Sequence, residues 1–190
     1  MQVNYWGCYS TAHVLLPGML ARKGGHLCFV ASMLYVAPMA GYSGYCPTKA
    51  AVRHLADSLR SELIGTGVSV SVGYPPDTET PGFDKENETK PGETVAIMDA
   101  MQDQVYTADA VAKCMFAGLQ AGRYHLPTPD FLHNLGLSMV AGLTPRPKWA
   151  VIEILLAPFL VIAALIMRSQ QDRAVARFRL KSQAPPSTSQ

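Results

Sequence analysis

Two short β-rich runs, separated by an amphipathic helix, constrain the fold of this chain more than any other feature. Residues 26–31 form a nearly continuous apolar run after a glycine pair, and residues 68–74 form a second run that stops at Pro75-Pro76. Apolar residues recur at helical spacing before the first run and between the two runs. This alternating order implies right-handed crossovers and parallel strands buried on both faces, so the predicted fold class is α/β.

Helical patterns and capping residues predict the elements on either side. Residues 2–23 should form a helix, and Thr107 should cap a later one. The polar, turn-rich residues 77–93 are predicted to be a loop beside a site at the strand ends. Residues 123–126 read as a short further strand.

An apolar run near the C-terminus predicts a membrane-associated helical tail. Residues 149–167 carry Glu153 as their only charge, and their length is close to the roughly 20 residues needed to cross a bilayer core. A buried core helix is the alternative. Basic side chains after the run favour a cytosolic C-terminus. Two arrangements stay open: a single membrane span, and a hairpin formed together with residues 135–143.

Composition excludes several classes of function. The formal net charge is +2, and the basic residues are not interleaved with aromatic ones, so nucleic-acid binding is not expected. The four cysteines form no CxxC pair and the five histidines lack ligand spacing, so no metal site is expected. The cysteines should be reduced thiols.

The motif Tyr45-Cys46-Pro47-Thr48-Lys49 carries the first sign of chemistry. Side chains four apart on a helix share a face, so the Lys49 ammonium should lie near the Tyr45 phenol. A nearby positive charge lowers the pKa of a phenol from about 10 towards neutrality, which makes it a usable proton donor. Taken alone, this spacing occurs by chance in many helices.

Two further residues strengthen the interpretation. Ser32 follows the first β-rich run, thirteen positions before Tyr45. The carboxyl ends of parallel strands form a crevice, where two hydroxyls could hold one carbonyl oxygen. Asn4, on the preceding helix, adds an amide able to hold a water molecule near Lys49.

These four residues, in this order, resemble the Asn-Ser-Tyr-Lys tetrad of the short-chain dehydrogenase/reductase family. The resemblance implies interconversion of a ketone and an alcohol with a nicotinamide cofactor. Tyr45 would protonate the developing alkoxide and Ser32 would orient the carbonyl. Lys49 would lower the tyrosine pKa and hold the nicotinamide ribose, and Asn4 would support the proton relay.

The segment after the second β-rich run resembles the family's turn after its sixth strand. The resemblance implies cofactor contacts from Pro75, Thr78 and Thr80, in addition to Tyr45 and Lys49. Proline stands at position 76, where the wider family usually has glycine, which removes one backbone N–H donor.

Residues 75–83, followed by Glu86-Asn87 and Thr89-Lys90-Pro91, are similar to the 3-ketodihydrosphingosine (3-dehydrosphinganine) reductases. This branch implies NADPH-dependent reduction of a long-chain keto-amine lipid, 3-ketodihydrosphingosine, to dihydrosphingosine in sphingolipid biosynthesis. It also implies attachment to the endoplasmic reticulum membrane with the catalytic part facing the cytosol. Two alternatives stay open: a non-catalytic membrane-anchored fragment that pairs with another subunit, and a reductase of steroid or retinoid ketones. The sequence does not decide whether the chain forms a homo-oligomer.

The resemblance divides the chain into three parts. Residues 1–134 are expected to form a partial short-chain dehydrogenase/reductase domain, containing the C-terminal part of a Rossmann-like parallel sheet. Residues 135–168 are expected to be membrane-associated, and residues 169–190 to be a basic and then disordered tail.

The family's glycine-rich cofactor loop, Gly-x-x-x-Gly-x-Gly, does not occur in this sequence. The residue that selects NAD or NADP belongs to the same half of the family's dinucleotide site. We therefore expect a truncated product, and we predict that the chain alone binds NADPH poorly. Isothermal titration calorimetry of the purified chain checks this, and micromolar affinity for NADPH would contradict it.

Overall fold

The computed structural model describes residues 1–101, 104–139, 144–145 and 150–183. A π-helical turn, Gln2–Trp6, leads into helix α1 (Gly7–Ala21), which confirms the predicted N-terminal helix. The remaining elements, in chain order, are β1 (Gly25–Val30), α2 (Cys46–Glu62), β2 (Val68–Gly73), β3 (Thr78–Glu79), α3 (Pro81–Thr89), α4 (Gly92–Met101), β4 (Tyr106–Thr107), α5 (Ala108–Gln120), α6 (Phe131–Met139) and α7 (Ala150–Gln183).

The predicted parallel sheet is confirmed. β1 and β2 pair in parallel, with a register that runs from Gly25 opposite Val68 to Val30 opposite Gly73. The segment predicted as a short strand lies beside β2, because the Val72 N–H donates to the Tyr124 carbonyl at 2.8 Å and Val72 also forms a parallel bridge with His125. β3 and β4 form a second, two-stranded parallel sheet.

Helices α1 and α2 cover one face of β1. Val52 and Ala56 on α2 are fully buried, and they belong to the same core cluster as Leu27 and Phe29 on β1. The other side chains of β1 are accessible, Val30 among them at 46%. The prediction of burial on both faces is therefore wrong for β1, because the described residues bury this strand from one side only.

A buried arginine ties α2 to the end of β2. Arg53 is 2% exposed, and its Nε donates to the Asp57 carboxylate at 2.9 Å. Its Nη1 donates to the hydroxyls of Tyr74, which follows β2, and of Tyr35, at 2.6 and 2.9 Å. A buried cation needs a counter-charge and full hydrogen bonding, and this cluster supplies both.

The prediction of a loop over residues 77–93 is wrong, since helix α3 and the start of α4 lie there. The Thr80 hydroxyl accepts a hydrogen bond from the Phe83 N–H at 3.1 Å, and Pro81 occupies the first position of α3. A threonine N-cap followed by proline is a recognised start of a helix. The polar composition of the segment hid this signal.

The apolar tail lies in α7, one continuous helix that packs against α4 and α6. Leu155 and Leu165 are 70% and 66% exposed, so the alternative of a buried core helix is not supported. Within the ranges that the structure describes, no helix combines the length and apolarity needed to cross a bilayer. Trp149 and residues 140–143 and 184–190, which belong to the predicted membrane segments and disordered end, lie outside the described residues.

His125 is held at the edge of the buried cluster. Its Nδ1 lies 3.1 Å from the Tyr74 hydroxyl, and its Nε2 lies 2.9 Å from the Thr144 hydroxyl. Burial lowers the pKa of this imidazole from 6.5 to about 4, with a further contribution from the Arg53 cation. The folded protein therefore keeps His125 neutral at a pH where the unfolded chain is protonated.

We predict that acid weakens the fold through His125. The unfolded chain gains a proton on this imidazole near pH 6.5, whereas the folded chain gains it only near pH 4. The free energy of unfolding should fall as pH decreases across this window, by up to about 3 kcal/mol from this group. Urea unfolding at several pH values checks this, with His125→Gln as the comparison. A variant with the pH slope of the unmodified protein would show that His125 contributes nothing.

Candidate active site

The carboxyl ends of β1 and β2 open onto a cavity of about 560 Å³. Its position follows from the parallel pairing, because both strands end at the same edge of the sheet. The predicted site residues that line it are Ser32, Tyr45, Lys49, Pro75, Thr78 and Thr80. The structure thus brings together every predicted site residue except Asn4.

Ser32 and Tyr45 line the same part of the site, at the end of β1 and the start of α2. Ser32 caps a short 3₁₀ turn (Met33–Tyr35), and its Oγ accepts a hydrogen bond from the Leu34 N–H at 3.2 Å. Tyr45 lies at the N-cap position of α2, and the Ser32 side chain is near enough to its phenol to act on the phenol pKa, in the lowering direction. The strand end and the helix start therefore place two hydroxyls where one carbonyl oxygen could accept from both.

Lys49 lies on the next turn of α2, over the face of the Tyr45 ring. Its Nζ is 5.6 Å from the ring centroid and donates to the Val30 carbonyl at 3.1 Å. Burial lowers the pKa of this ammonium. The lysine is thus fixed by the backbone of β1, and an ammonium has two further N–H donors to offer a ligand.

The predicted direction of the Tyr45 pKa shift is wrong in this structure. Burial raises the pKa of the phenol above its usual value, and the Glu86 and Asp77 carboxylates raise it further. The Ser32 side chain acts in the opposite direction and is outweighed. The sequence could not reveal this balance, because it depends on burial and on carboxylates from a distant segment.

Asn4 lies in the π-helical turn and contacts α2 through Thr48. Its Nδ2 donates to the Thr48 hydroxyl at 2.9 Å, and that hydroxyl donates to the Tyr45 carbonyl at 2.7 Å. Asn4 is thus tethered to the first turn of α2, and its part in a water-mediated relay to Lys49 stays a prediction. Single π-turns within helices often mark functional sites.

The two threonines of the turn are both engaged by backbone groups. The Thr78 hydroxyl donates to the Pro76 carbonyl at 2.7 Å, whereas the Thr80 hydroxyl accepts from the Phe83 N–H at 3.1 Å. A hydroxyl that accepts still has its own O–H to donate. Of these two cavity-lining hydroxyls, Thr80 is the one that retains a donor for a ligand.

Tyr42 and Glu86 also line the cavity, and the sequence did not single them out as site residues. The Tyr42 hydroxyl donates to Glu86 Oε1, and the Tyr42 ring lies 5.8 Å from the Tyr45 ring. Tyr42 and Tyr45 are three positions apart in the sequence, and this spacing could have predicted that their side chains are neighbours. Glu86 could be found only after α3 was recognised as a helix.

Methionines supply much of the apolar wall. They come from the loop after β1, from α4 and from α7, and they are Met33, Met39, Met98, Met101 and Met167. Methionine is unbranched and adaptable, so such a wall can follow the shape of a flexible hydrocarbon chain. The cavity combines two hydroxyls for a carbonyl group with a surface suited to a long alkyl chain.

Comparisons with known proteins agree with this geometry. Residues 1–91 match the family model described as short chain dehydrogenase. A 3-ketodihydrosphingosine reductase of Dictyostelium discoideum is 39% identical over 93% of this chain and 52% of that protein. One from Neurospora crassa is 32% identical over 95% of this chain and 52% of that protein. This chain therefore spans about half the length of the curated relatives it matches.

A solved structure shows the same fold at low sequence identity. A short chain dehydrogenase from Burkholderia cenocepacia J2315, crystallised in complex with NADP, superposes with a TM-score of 0.58 at 19% identity. The match covers 76% of this chain and 58% of that chain. In its parallel Rossmann-like sheet, in the family-model match over residues 1–91 and in these relatives, this chain is similar to the short chain dehydrogenase family.

Proposed function

We propose that this chain forms the carbonyl-reducing site of an NADPH-dependent 3-ketodihydrosphingosine reductase, which makes dihydrosphingosine for sphingolipid biosynthesis. The observation that carries the proposal is the meeting of the Ser32 and Tyr45 hydroxyls in one cavity beside Lys49. The names of the curated relatives support the choice of substrate. The methionine wall supports a substrate with a long alkyl chain.

The chemistry follows from the two hydroxyls. Ser32 and Tyr45 both donate hydrogen bonds to the carbonyl oxygen, which orients the ketone and polarises it. Tyr45 then gives its proton to the oxygen as negative charge develops there. A phenol whose pKa lies above the usual value is protonated at neutral pH, as an ordinary tyrosine is, so the proton is in place before the reaction begins.

The residues present fit the nicotinamide end of the cofactor, which supplies the hydride when it is bound. Lys49 and Tyr45 offer N–H and O–H donors suited to ribose hydroxyls. Thr80 has a hydroxyl donor suited to the carboxamide, on the same turn as Pro75 and Thr78. We place the ribose against α2 and the carboxamide against this turn.

We predict that Tyr45→Phe abolishes most of the ketone reduction. The phenyl ring keeps the packing but has no proton to give, so kcat/KM should fall by about 10²- to 10⁴-fold. NADPH oxidation is measured with 3-ketodihydrosphingosine in detergent micelles. The native protein and the Tyr45→Phe variant are assayed under the same conditions. A steroid ketone assayed in parallel tests the competing substrate class.

The matched control is Tyr9→Phe, which removes the hydroxyl of an exposed tyrosine on α1. It should leave the rate unchanged. Full activity of Tyr45→Phe would rule out the assigned proton donor, and absence of ketone reduction in the unmodified protein would favour a non-catalytic pairing role.

We further propose that α7 attaches the protein to the endoplasmic reticulum membrane, with the catalytic cavity facing the cytosol. Between residues 155 and 167 this helix exposes large apolar side chains, with Phe159 69% accessible. Exposed apolar surfaces of this kind mark sites of association. The basic side chains that follow on α7 suit anionic lipid headgroups, and they are Arg168, Arg173, Arg177, Arg179 and Lys181.

We predict that Leu165→Glu weakens binding to anionic phospholipid vesicles, because it places a charge within the apolar surface. Val14→Glu is the matched control, since Val14 is similarly exposed at 74% but lies on α1, outside the proposed membrane surface. Co-sedimentation with vesicles measures both variants. Equal loss of binding in the two variants would count against attachment through residues 155–167.

A further inference from the structure

Helix α3 presents Glu86 to the same cavity as the two carbonyl-binding hydroxyls. About half of the Glu86 side chain, 48%, stays accessible. The carbonyl chemistry described above makes no use of a carboxylate. Glu86 belongs, however, to the stretch of α3 in which the sequence resembles one branch of the family.

Tyr42 fixes the position of this carboxylate relative to the proton donor. Its hydroxyl donates to Glu86 Oε1, and its ring lies 5.8 Å from the Tyr45 ring. Tyr42 therefore lies between the Glu86 carboxylate and the Tyr45 phenol, which would donate to the carbonyl oxygen. A negative charge is built in beside the reacting group.

Lys90, the C-cap residue of α3, forms an ion pair with Glu86, and its buried ammonium also contacts two other groups. The Nζ lies 3.9 Å from Glu86 Oε1, which is beyond hydrogen-bond distance. The same Nζ lies 4.6 Å from the centroid of the Phe83 ring and 3.4 Å from Met98 Sδ. Both contacts to Glu86 involve Oε1, so its other oxygen can accept from a ligand in the cavity.

A carboxylate beside the proton donor acts against the transfer of negative charge onto the carbonyl oxygen. Like charges nearby disfavour each other, and the cost falls when a cation binds between them. A substrate that carries an ammonium group next to its ketone would supply this cation. A neutral ketone of the same length would supply no cation to the second carboxylate oxygen, and Lys90 would remain the partner of the first.

We propose that Glu86, held by Tyr42, binds the ammonium group on the carbon next to the substrate's carbonyl and so selects amino ketones over neutral ketones. This inference rests on the proposed function, because it assigns specificity to the same cavity. The contact is a charge-assisted hydrogen bond, among the stronger polar contacts available to a protein. Glu86 determines specificity here, and Tyr42 positions it.

A purely structural role is the competing explanation. The Tyr42–Glu86 contact joins the loop before α2 to α3, and its loss could loosen both segments. Such loosening would affect all ketones alike. Selection by charge would affect only those that carry the amine, so the ratio between two substrates separates the explanations.

The test compares kcat/KM for 3-ketodihydrosphingosine with kcat/KM for a chain-matched ketone that lacks the amine. In Glu86→Gln the preference for the amino ketone should fall by about ten- to a hundredfold, as expected for the loss of one charged hydrogen bond. Glu88→Gln makes the same charge change at an exposed position of α3 outside the cavity, and it should keep the preference. An unchanged preference in Glu86→Gln would overturn the inference.

A binding measurement decides the amine contact without turnover. Dodecylamine should bind this chain more tightly than dodecanol, and Glu86→Gln should remove the difference while Glu88→Gln keeps it. Equal binding of the two probes to the unmodified chain would overturn the inference on Glu86. Failure to reduce any ketone, with the amine preference intact, would overturn the proposed function alone.

Discussion

The parallel pairing of β1 and β2 is the constraint on which the site depends. The ladder continues past the strands, where the Ala31 N–H donates to the Gly73 carbonyl at 2.8 Å. Ser32 and the turn that begins at Pro75 therefore leave the sheet at the same edge. Buried Arg53 then anchors α2 to this edge through the Tyr74 hydroxyl. Because α2 is fixed, the Tyr45 phenol and the Lys49 ammonium at the start of this helix are held in place as well.

The sequence predicted the parts of this arrangement that depend on local pattern. Alternating runs and the spacing of Tyr45 and Lys49 gave the strand order and the helix face correctly. The partners of individual groups depended on tertiary contacts instead. Asn4 meets Thr48, 44 positions away, and Lys49 meets a backbone carbonyl of β1. Helix α3 was missed because its threonine cap and proline stand in a polar segment that resembles a loop.

The electrostatics of the cavity differ from those expected of an isolated tyrosine–lysine pair. Burial and carboxylates favour the protonated phenol, and the Ser32 side chain only partly compensates. This balance suits a proton donor that acts in the direction of reduction. The carboxylates also favour binding of a cation in the cavity, and the proposed role of Glu86 is to bind that cation. In the proposed function, the Glu86 carboxylate selects the amino end of the substrate, whereas the methionines contact its alkyl chain.

The titration of Tyr45, followed by NMR in protein labelled with ¹³C at the ζ carbon of tyrosine, tests the proposed site most directly. Tyr45 should titrate above the pKa of a free tyrosine, because the ring is partly buried and lies near carboxylates. Ser32→Ala should raise this pKa further, since the serine hydroxyl stabilises the phenolate. A Tyr45 that titrates at or below the free value, or that does not respond to Ser32→Ala, would contradict a shared site for the two hydroxyls.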